Sequence, residues 1–404
     1  MELQLFLAIC IAVIAGLGIA EYALHRRNLA AIPIRIHVNG TRGKSSVVRL
    51  VAGALRAQGI RVCAKATGSL PRMIMPDGSE YPIHRAGHAN VIEHLRIIGV
   101  AAREGAEAIV IECMALQPRL QSLTELMMVR STHGVITNAR ADHLDVMGPS
   151  ERDVALALLG SCPKGSVLFT AEQGFRGDFE RACRDRGTRL VRVDPSEFDA
   201  VGDEEMARFP YVEHKQNVAL ALAVAEALGV PREVALRGMV EAAPDVGALR
   251  EYQLDFFGRR ILVVNGFAAN DPVSTEQIWK MTLARHPQVE RRIMVVNCRF
   301  DRPDRSRQLG EAIPGWQPAD RYVLIGSGTY VFARTAVAAG LSAGLLLPLE
   351  GIGRAAVFEE IVGICGRSSL VMGVGNIGGI GLELLRHFRN RARPDGHEIE
   401  GAAQ

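Results

Sequence analysis

Between Leu3 and Ala20 the chain is almost wholly apolar and carries no charge (LQLFLAICIAVIAGLGIA). The pattern changes at Glu21, with His25, Arg26 and Arg27 just beyond. A run of this length is at the short end of what spans a bilayer as a helix. Positive charge after it, and none before it, places the rest of the chain on the cytoplasmic side. A cleaved signal peptide would want a basic N-terminal region, where Glu2 stands. The expectation is a single-pass anchor in the cell membrane over residues 1–27. A buried core helix is the competing reading.

Beyond the anchor, period-two alternation and short apolar runs take turns with helical spacing. Ile34, Ile36 and Val38 alternate with Arg35 and His37 and predict a strand. Val47, Val48, Leu50, Val51, Ala54 and Leu55 recur at helical spacing after a Gly/Thr/Ser turn. Ala108–Ile111, Val135–Thr137 and Val167–Phe169 predict further buried strands. A second series begins near Gly247, with runs at Ile261–Val264, Ile293–Val296, Tyr322–Ile325, Leu345–Leu347 and Leu370–Met372. Strands interleaved with helices imply parallel sheets covered on both faces. The fold class expected is α/β: an N-terminal transmembrane helix, a P-loop ATPase domain with a mainly parallel sheet over 28–246, and a Rossmann-like C-terminal domain over 247–390. A polar, Pro/Gly-punctuated flexible tail is expected over 391–404.

The 404 residues are 48% hydrophobic and 23% charged, ordinary for folded domains. Lys and Arg number 47 against 44 Asp and Glu, a net charge of +3. That balance argues against nucleic acid as a partner, because phosphate-backbone binders carry a strong basic excess. Seven widely spaced cysteines without a CxxC pair fit a reducing compartment rather than a zinc site or a disulfide framework.

The sharpest chemical signal is Gly40-Thr41-Arg42-Gly43-Lys44-Ser45-Ser46, after a predicted strand and before a predicted helix. Glycines let backbone N–H groups turn toward phosphate oxygens, and a helix N-terminus adds partial positive charge. Lys44 can reach the β- and γ-phosphates, and the Ser45 hydroxyl can hold Mg²⁺. Val38 stands where the longer phosphate-loop pattern has its first glycine, so the loop is a shorter variant. Ligands gather beyond the carboxyl ends of parallel strands. Glu112 is there, as is Asn138, followed by Ala141-Asp142-His143-Leu144-Asp145. Glu112 suits Mg²⁺, and His143 adds a nitrogen ligand or a contact to the metal's water. Taken singly, Glu112 reads equally as a salt-bridged strand-end acid, and His143 as a loop histidine bonded to backbone.

These stretches resemble the Mur ligase superfamily of ATP-dependent amide ligases, and within it the family of poly-γ-glutamate synthase ligase subunits. HVNGTRGKSSVVRL, ATGSLPRMIMPDG, IECMALQP, TNARADHLDVMGPS and NGFAANDPVST carry the likeness, together with the N-terminal hydrophobic segment. It covers most of residues 33–380. The resemblance implies ATP and Mg²⁺ as cofactors, with Lys44, Glu112 and His143 catalytic and Ser45, Glu112 and His143 at the metal. It assigns Asn217 to the adenine, although Glu213 occupies the position four residues earlier where the family usually has histidine. It assigns Arg250 to the nucleotide. Asn270 falls in a substrate motif whose residues differ here. Ala157 stands where many relatives carry a carbamylated lysine, so another acid or water must complete the metal's coordination. The implied reaction forms γ-glutamyl amide bonds through an acyl phosphate, releasing ADP. Glutamate, the poly-γ-glutamate chain and small integral-membrane synthase or export subunits are the implied partners. A Mur-type ligase for a folate or peptidoglycan precursor, and a membrane-tethered regulatory NTPase, are the alternatives.

Two further signals are weaker. Arg299, Arg302, Arg305 and Arg307 crowd one segment. They suit either docking of a polyanionic chain or a solvated loop partnered by Asp301 and Asp304. Gly373-Val374-Gly375-Asn376-Ile377-Gly378 contains GxGxxG after a strand, but too near the chain end to build a dinucleotide unit; tight packing is expected. His84, His88 and His94 show no convincing metal spacing.

Overall fold

The computed structural model describes residues 2–68, 70–85, 89–211, 213–245, 249–269 and 272–392. The chain divides into two compact units, Met1–Asp245 and Val246–Gln404. Most of the 391–404 stretch, along with His88 and Asn270, lies outside the described residues.

The first unit is organised by an eight-stranded sheet. Its strands are β1 (Ile34–Asn39), β2 (Val62–Ala66), β3 (Arg72–Ile74), β4 (Glu80–Pro82), β5 (Ala108–Glu112), β6 (His133–Ile136), β7 (Val167–Thr170) and β8 (Arg189–Arg192). They lie in the order β4-β3-β2-β5-β1-β6-β7-β8. All neighbours are parallel except β3 and β4, which form an antiparallel edge beside β2. The pleat sends alternate side chains to opposite faces. Ala108 and Val110 of β5 enter one core with Ile36 and Val38, under the helices Lys44–Ala57 and Lys215–Ala227. Ile109 and Ile111 enter the opposite core with Ile97, Ile98 and Leu29. Burial on both faces explains the uninterrupted apolar run of β5.

The N-terminal apolar run forms one helix, Glu2–Ala31. Leu3–Ala31 is long and apolar enough to cross a membrane, and no residue of its most apolar window is buried. That exposure sets it apart from a core helix. Past the apolar run the same helix joins the first unit: His25 Nε2 bonds the Met128 carbonyl at 2.8 Å, and Leu29 is buried.

The second unit holds β9 (Glu251–Phe256), β10 (Arg259–Asn265), β11 (Arg291–Cys298), β12 (Arg321–Gly326), β13 (Leu346–Pro348) and β14 (Ser368–Gly375) in the order β13-β12-β11-β14-β10-β9. Only β9 is antiparallel. Ile293 and Val295 face one core, and Met294, Val296 and Cys298 the other.

Candidate active site at the phosphate loop

Three adjacent carboxyl ends build this site. β1 lies between β5 and β6, with Val38 opposite Glu112 and Asn39 opposite Ile136. The register therefore sets the Glu112 carboxylate and the Thr137–Asn138 segment on either side of the loop that leaves β1. Gly40 and Gly43 have φ of 132° and 80°, the region that L side chains avoid. A side chain on Gly40 would also run into the Thr137 hydroxyl, and one on Gly43 would come within 2.5 Å of Asn217 Oδ1. Both glycines are thus required by conformation and by space.

The loop is braced from β6. Thr41 Oγ1 donates to Asn138 Oδ1 at 2.7 Å, and the Arg42 N–H donates to the same oxygen at 3.1 Å. Thr137 Oγ1 donates to the Arg42 carbonyl at 2.6 Å. Asn39, 2% exposed, donates from Nδ2 to Gln121 Oε1 and Ser161 Oγ. Each neutral bond is worth only about 1 kcal/mol net, but together they hold the loop before any ligand arrives. Lys44 Nζ is bonded to the Gly40 carbonyl at 2.6 Å. Its ammonium thus rests over the loop, whose Gly40, Thr41 and Arg42 N–H groups bond Asn39 and Asn138.

At the base of the helix that begins at Lys44, Ser45 Oγ donates to Glu112 Oε2 at 2.8 Å, and the Thr67 N–H donates to that oxygen at 2.6 Å. Glu112 is 3% exposed. A Cβ on Gly68 would lie 2.5 Å from Ser45 Oγ and 2.8 Å from Asp245 Oδ2. Only glycine lets these two side chains share the corner. Asp245, which the sequence offers merely as part of a domain boundary, brings a second carboxylate to Ser45.

Behind this corner is a buried charge network. Lys65 Nζ, fully buried, pairs with Glu93 Oε1 at 2.9 Å, and Arg85 grips Glu93 at 2.7 and 3.1 Å. Burial works against the Glu93 charge, but Arg85 and Lys65 outweigh it and hold the carboxyl down at about 2. His94, also fully buried, is lowered to about 3 by burial, then by Lys65 and His37. It is a core histidine, not a ligand.

Asp142 Oδ2 pairs with Arg42 Nη1 at 3.2 Å, tying the loop after β6 to the phosphate loop. His143 follows at φ 45° and lies 3.9 Å from Asp142. Among the described residues no three His, Cys, Asp or Glu side chains form a metal cage. Asn217 donates from Nδ2 to Glu213 Oε1 at 2.8 Å. Glu213, at the position where the resembled family has histidine, therefore fixes the amide that lies against Gly43.

The other sequence-derived residues lie in the second unit. The Arg250 carbonyl accepts from the Asn265 N–H at 2.9 Å, beside β10. Arg299 forms a two-pronged pair with Asp301 at 2.9 and 2.7 Å, and Arg307 pairs with Asp304. Arg305 Nη1 donates to Asn376 Oδ1 at 2.7 Å, while Arg302 is exposed. Asp301 and Asp304 thus take two of the four arginines of this segment. The GxGxxG stretch is used for packing: a side chain on Gly373 would strike Phe267, and one on Gly375 would come within 2.6 Å of the Asn297 carbonyl.

Comparison with known proteins fits both units. The Mur ligase middle domain matches residues 38–169, and the poly-gamma-glutamate synthase CapB C-terminal domain matches residues 251–391. The capsule biosynthesis protein CapB of Bacillus anthracis is 34% identical over 386 residues, covering 95% of this chain and 82% of that protein. The PGA synthase CapB of Bacillus subtilis (strain 168) is 35% identical over 381 residues, covering 94% of this chain and 96% of that protein. Among solved structures, E. coli FolC in complex with ADP superposes with a TM-score of 0.69 at 16% identity, over 92% of this chain and 94% of that one. A Yersinia pestis bifunctional folylpolyglutamate synthase/dihydrofolate synthase complexed with AMPPNP and Mn gives 0.65 at 14% identity, over 91% and 92%. At those identities the likeness carries the fold alone.

Proposed function

Because this chain belongs to the CapB family of poly-γ-glutamate synthases, Mur-type ATP-dependent ligases, we propose that it joins glutamate units through γ-amide bonds at the cytoplasmic face of a membrane. A substrate carboxylate takes the γ-phosphoryl group of ATP, giving an acyl phosphate and ADP. The amine of the next glutamate attacks the acyl carbon, and phosphate leaves as the amide forms.

The residues of the phosphate loop fit a nucleotide. Gly40 and Gly43 let the loop turn tightly against Thr137 and Asn217, and Lys44 would exchange the Gly40 carbonyl for phosphate oxygens. Ser45 and Glu112 would hold the divalent ion, Mg²⁺ in this reading. Asp245 is close enough to Ser45 to supply the negative charge that Ala157 cannot, and His143 would contact the ion or its water. The ion supplies positive charge that offsets what builds on the phosphoryl oxygens. Asn217 and Arg250 are assigned to the nucleotide. Asn270, Arg299, Arg302 and Arg305 are assigned to the glutamate chain. The Leu3–Ala20 run anchors the enzyme, and small integral-membrane subunits would receive and export the polymer.

One observation carries the ligase reading: the Ser45–Glu112 contact of 2.8 Å, made where a lysine-bearing loop leaves the central strand. To test it, membranes containing the protein are incubated with ATP, Mg²⁺ and labelled L- or D-glutamate. Polymer that resists α-peptidases and is missing with Lys44→Ala is expected. ATP hydrolysis without glutamate incorporation would favour the regulatory NTPase instead. A separate measurement concerns Asp245: Asp245→Asn should weaken Mn²⁺ binding to the ADP complex about tenfold, read by electron paramagnetic resonance. Unchanged binding would remove Asp245 from the metal.

A further inference from the structure

The apolar helix enters the first unit without a linker. From Leu3 to Leu24 its side chains are exposed except for the half-buried Cys10, and His25 is the first buried residue among the described ones. Arg26 is six residues past Ala20, about 9 Å along the axis at 1.5 Å per residue. The headgroup layer on each side of a bilayer is roughly 5–8 Å deep. Given the anchored reading above, on which this inference rests, Arg26 stands at the outer edge of the headgroup layer, within side-chain reach of it.

A cavity of about 350 Å³ opens at that level. Arg26, Arg35, Arg130 and Lys164 line it, with Ser131 and Ser166. Arg35 is half-buried and held rigidly: Nη1 donates to the Leu29 and Ile32 carbonyls at 3.2 and 2.7 Å, and Nε to the Arg130 carbonyl at 3.0 Å. Arg26, Arg130 and Lys164 are exposed, and none forms an ion pair among the described residues. Glu125 is the only acid in the lining, and its charge is already used. Its Oε2 bonds His37 Nδ1 at 2.8 Å, and its Oε1 accepts from the Ser131 N–H and hydroxyl at 2.8 and 2.9 Å. The cavity therefore presents net positive charge and hydroxyl groups to whatever enters.

We propose that this cavity binds the phosphate of an anionic phospholipid headgroup. Basic pockets beside the cytoplasmic end of a membrane helix are suited to such groups, and arginine forks match phosphate oxygens. A bound lipid would fix the depth and the rotation of the first unit against the bilayer.

The test uses the full-length protein in nanodiscs of phosphatidylcholine doped with phosphatidylglycerol, and lipid retained after detergent extraction is measured by native mass spectrometry. The wild type is expected to retain phosphatidylglycerol in preference to phosphatidylcholine. R26Q/R130Q/K164Q should bind it roughly 100-fold more weakly, at about a fivefold factor for each of the three cations lost. R26K/R130K/K164R should keep it. Equal retention of both lipids by the wild type, or an unaffected triple variant, overturns the proposal. Displacement of the lipid by millimolar inorganic phosphate would make this a free-phosphate site, and displacement by polyglutamate alone a polymer site; either overturns the lipid assignment. Alkaline carbonate washing of the same membranes tests the anchor by itself. A wild type that washes off removes the anchored reading and this one with it. A wild type that resists washing but shows no lipid preference removes only the cavity's role.

Discussion

Both units place a glycine-rich turn after a central parallel strand, yet the two turns are built for different ends. In the first unit Gly40 and Gly43 let a loop curl against Thr137 and Asn217, and that loop leads into Lys44 and Ser45 beside Glu112. In the second unit Gly375, the last residue of β14, brings its backbone against that of Asn297. Asn376 Nδ2 donates to the Asn297 carbonyl at 3.2 Å, and Asn297 Nδ2 to the Gly378 carbonyl at 2.9 Å. A glycine motif is therefore ambiguous by itself. What separates a ligand loop from a packed one is the company it keeps: a lysine and hydroxyl opening the next helix, and an acid ending the neighbouring strand.

The largest effect should come from the lysine-bearing loop of the first unit. Lys44→Ala is expected to lower glutamate-dependent ADP release by at least about 100–1000-fold, the scale of losing a group that stabilises transition-state charge. Its melting temperature should be unchanged, because Nζ bonds only carbonyls of its own loop. A normal rate would erase the functional distinction between the two turns. Next, Glu93→Ala should destabilise the first unit by about 3–5 kcal/mol in denaturant titration, since it strands the buried Lys65. The Glu93 carboxyl sits at about 2 in the folded chain against a usual 4.5. Its stabilisation is thus complete above pH 4.5 and is lost as pH falls from there toward 2. Glu93→Gln should flatten that part of the stability profile.

A smaller effect is expected at Glu213. Glu213→Ala frees the Asn217 amide and should weaken ATP binding roughly tenfold, about what one lost bond to a charged acceptor costs; calorimetry checks it. Smallest is Arg305→Ala, on the helix Pro303–Ala312 that bonds the packed turn. Loss of its bond to Asn376 should cost about 1 kcal/mol of stability and leave ATP affinity as it was. Weaker ATP binding there would mean that the packed turn also serves the nucleotide.

The parts of the molecule that can be read from sequence are those made of adjacent residues. β5, β11 and β14 announce themselves because burial on both faces demands unbroken apolar runs, and Gly40–Ser46 is contiguous. Strands β3, β4 and β9 give no such signal. They are antiparallel, two of them are only three residues long, and Arg72, Glu80 and Glu251 make them polar. In the site, Glu112 is legible as the last residue of a strand. Asp245 and Glu213 are not, because only the fold brings them to Gly68 and Asn217. The substitution of glutamate for a family histidine at position 213 is visible in sequence, but its grip on Asn217 is not.

The unbroken helix Glu2–Ala31 acts as an axle with no universal joint. Each residue inserted between Leu24 and His25 would turn the first unit by about 100° and raise it by about 1.5 Å. Helical phase therefore sets which side of the first unit stands over a given face of the apolar run.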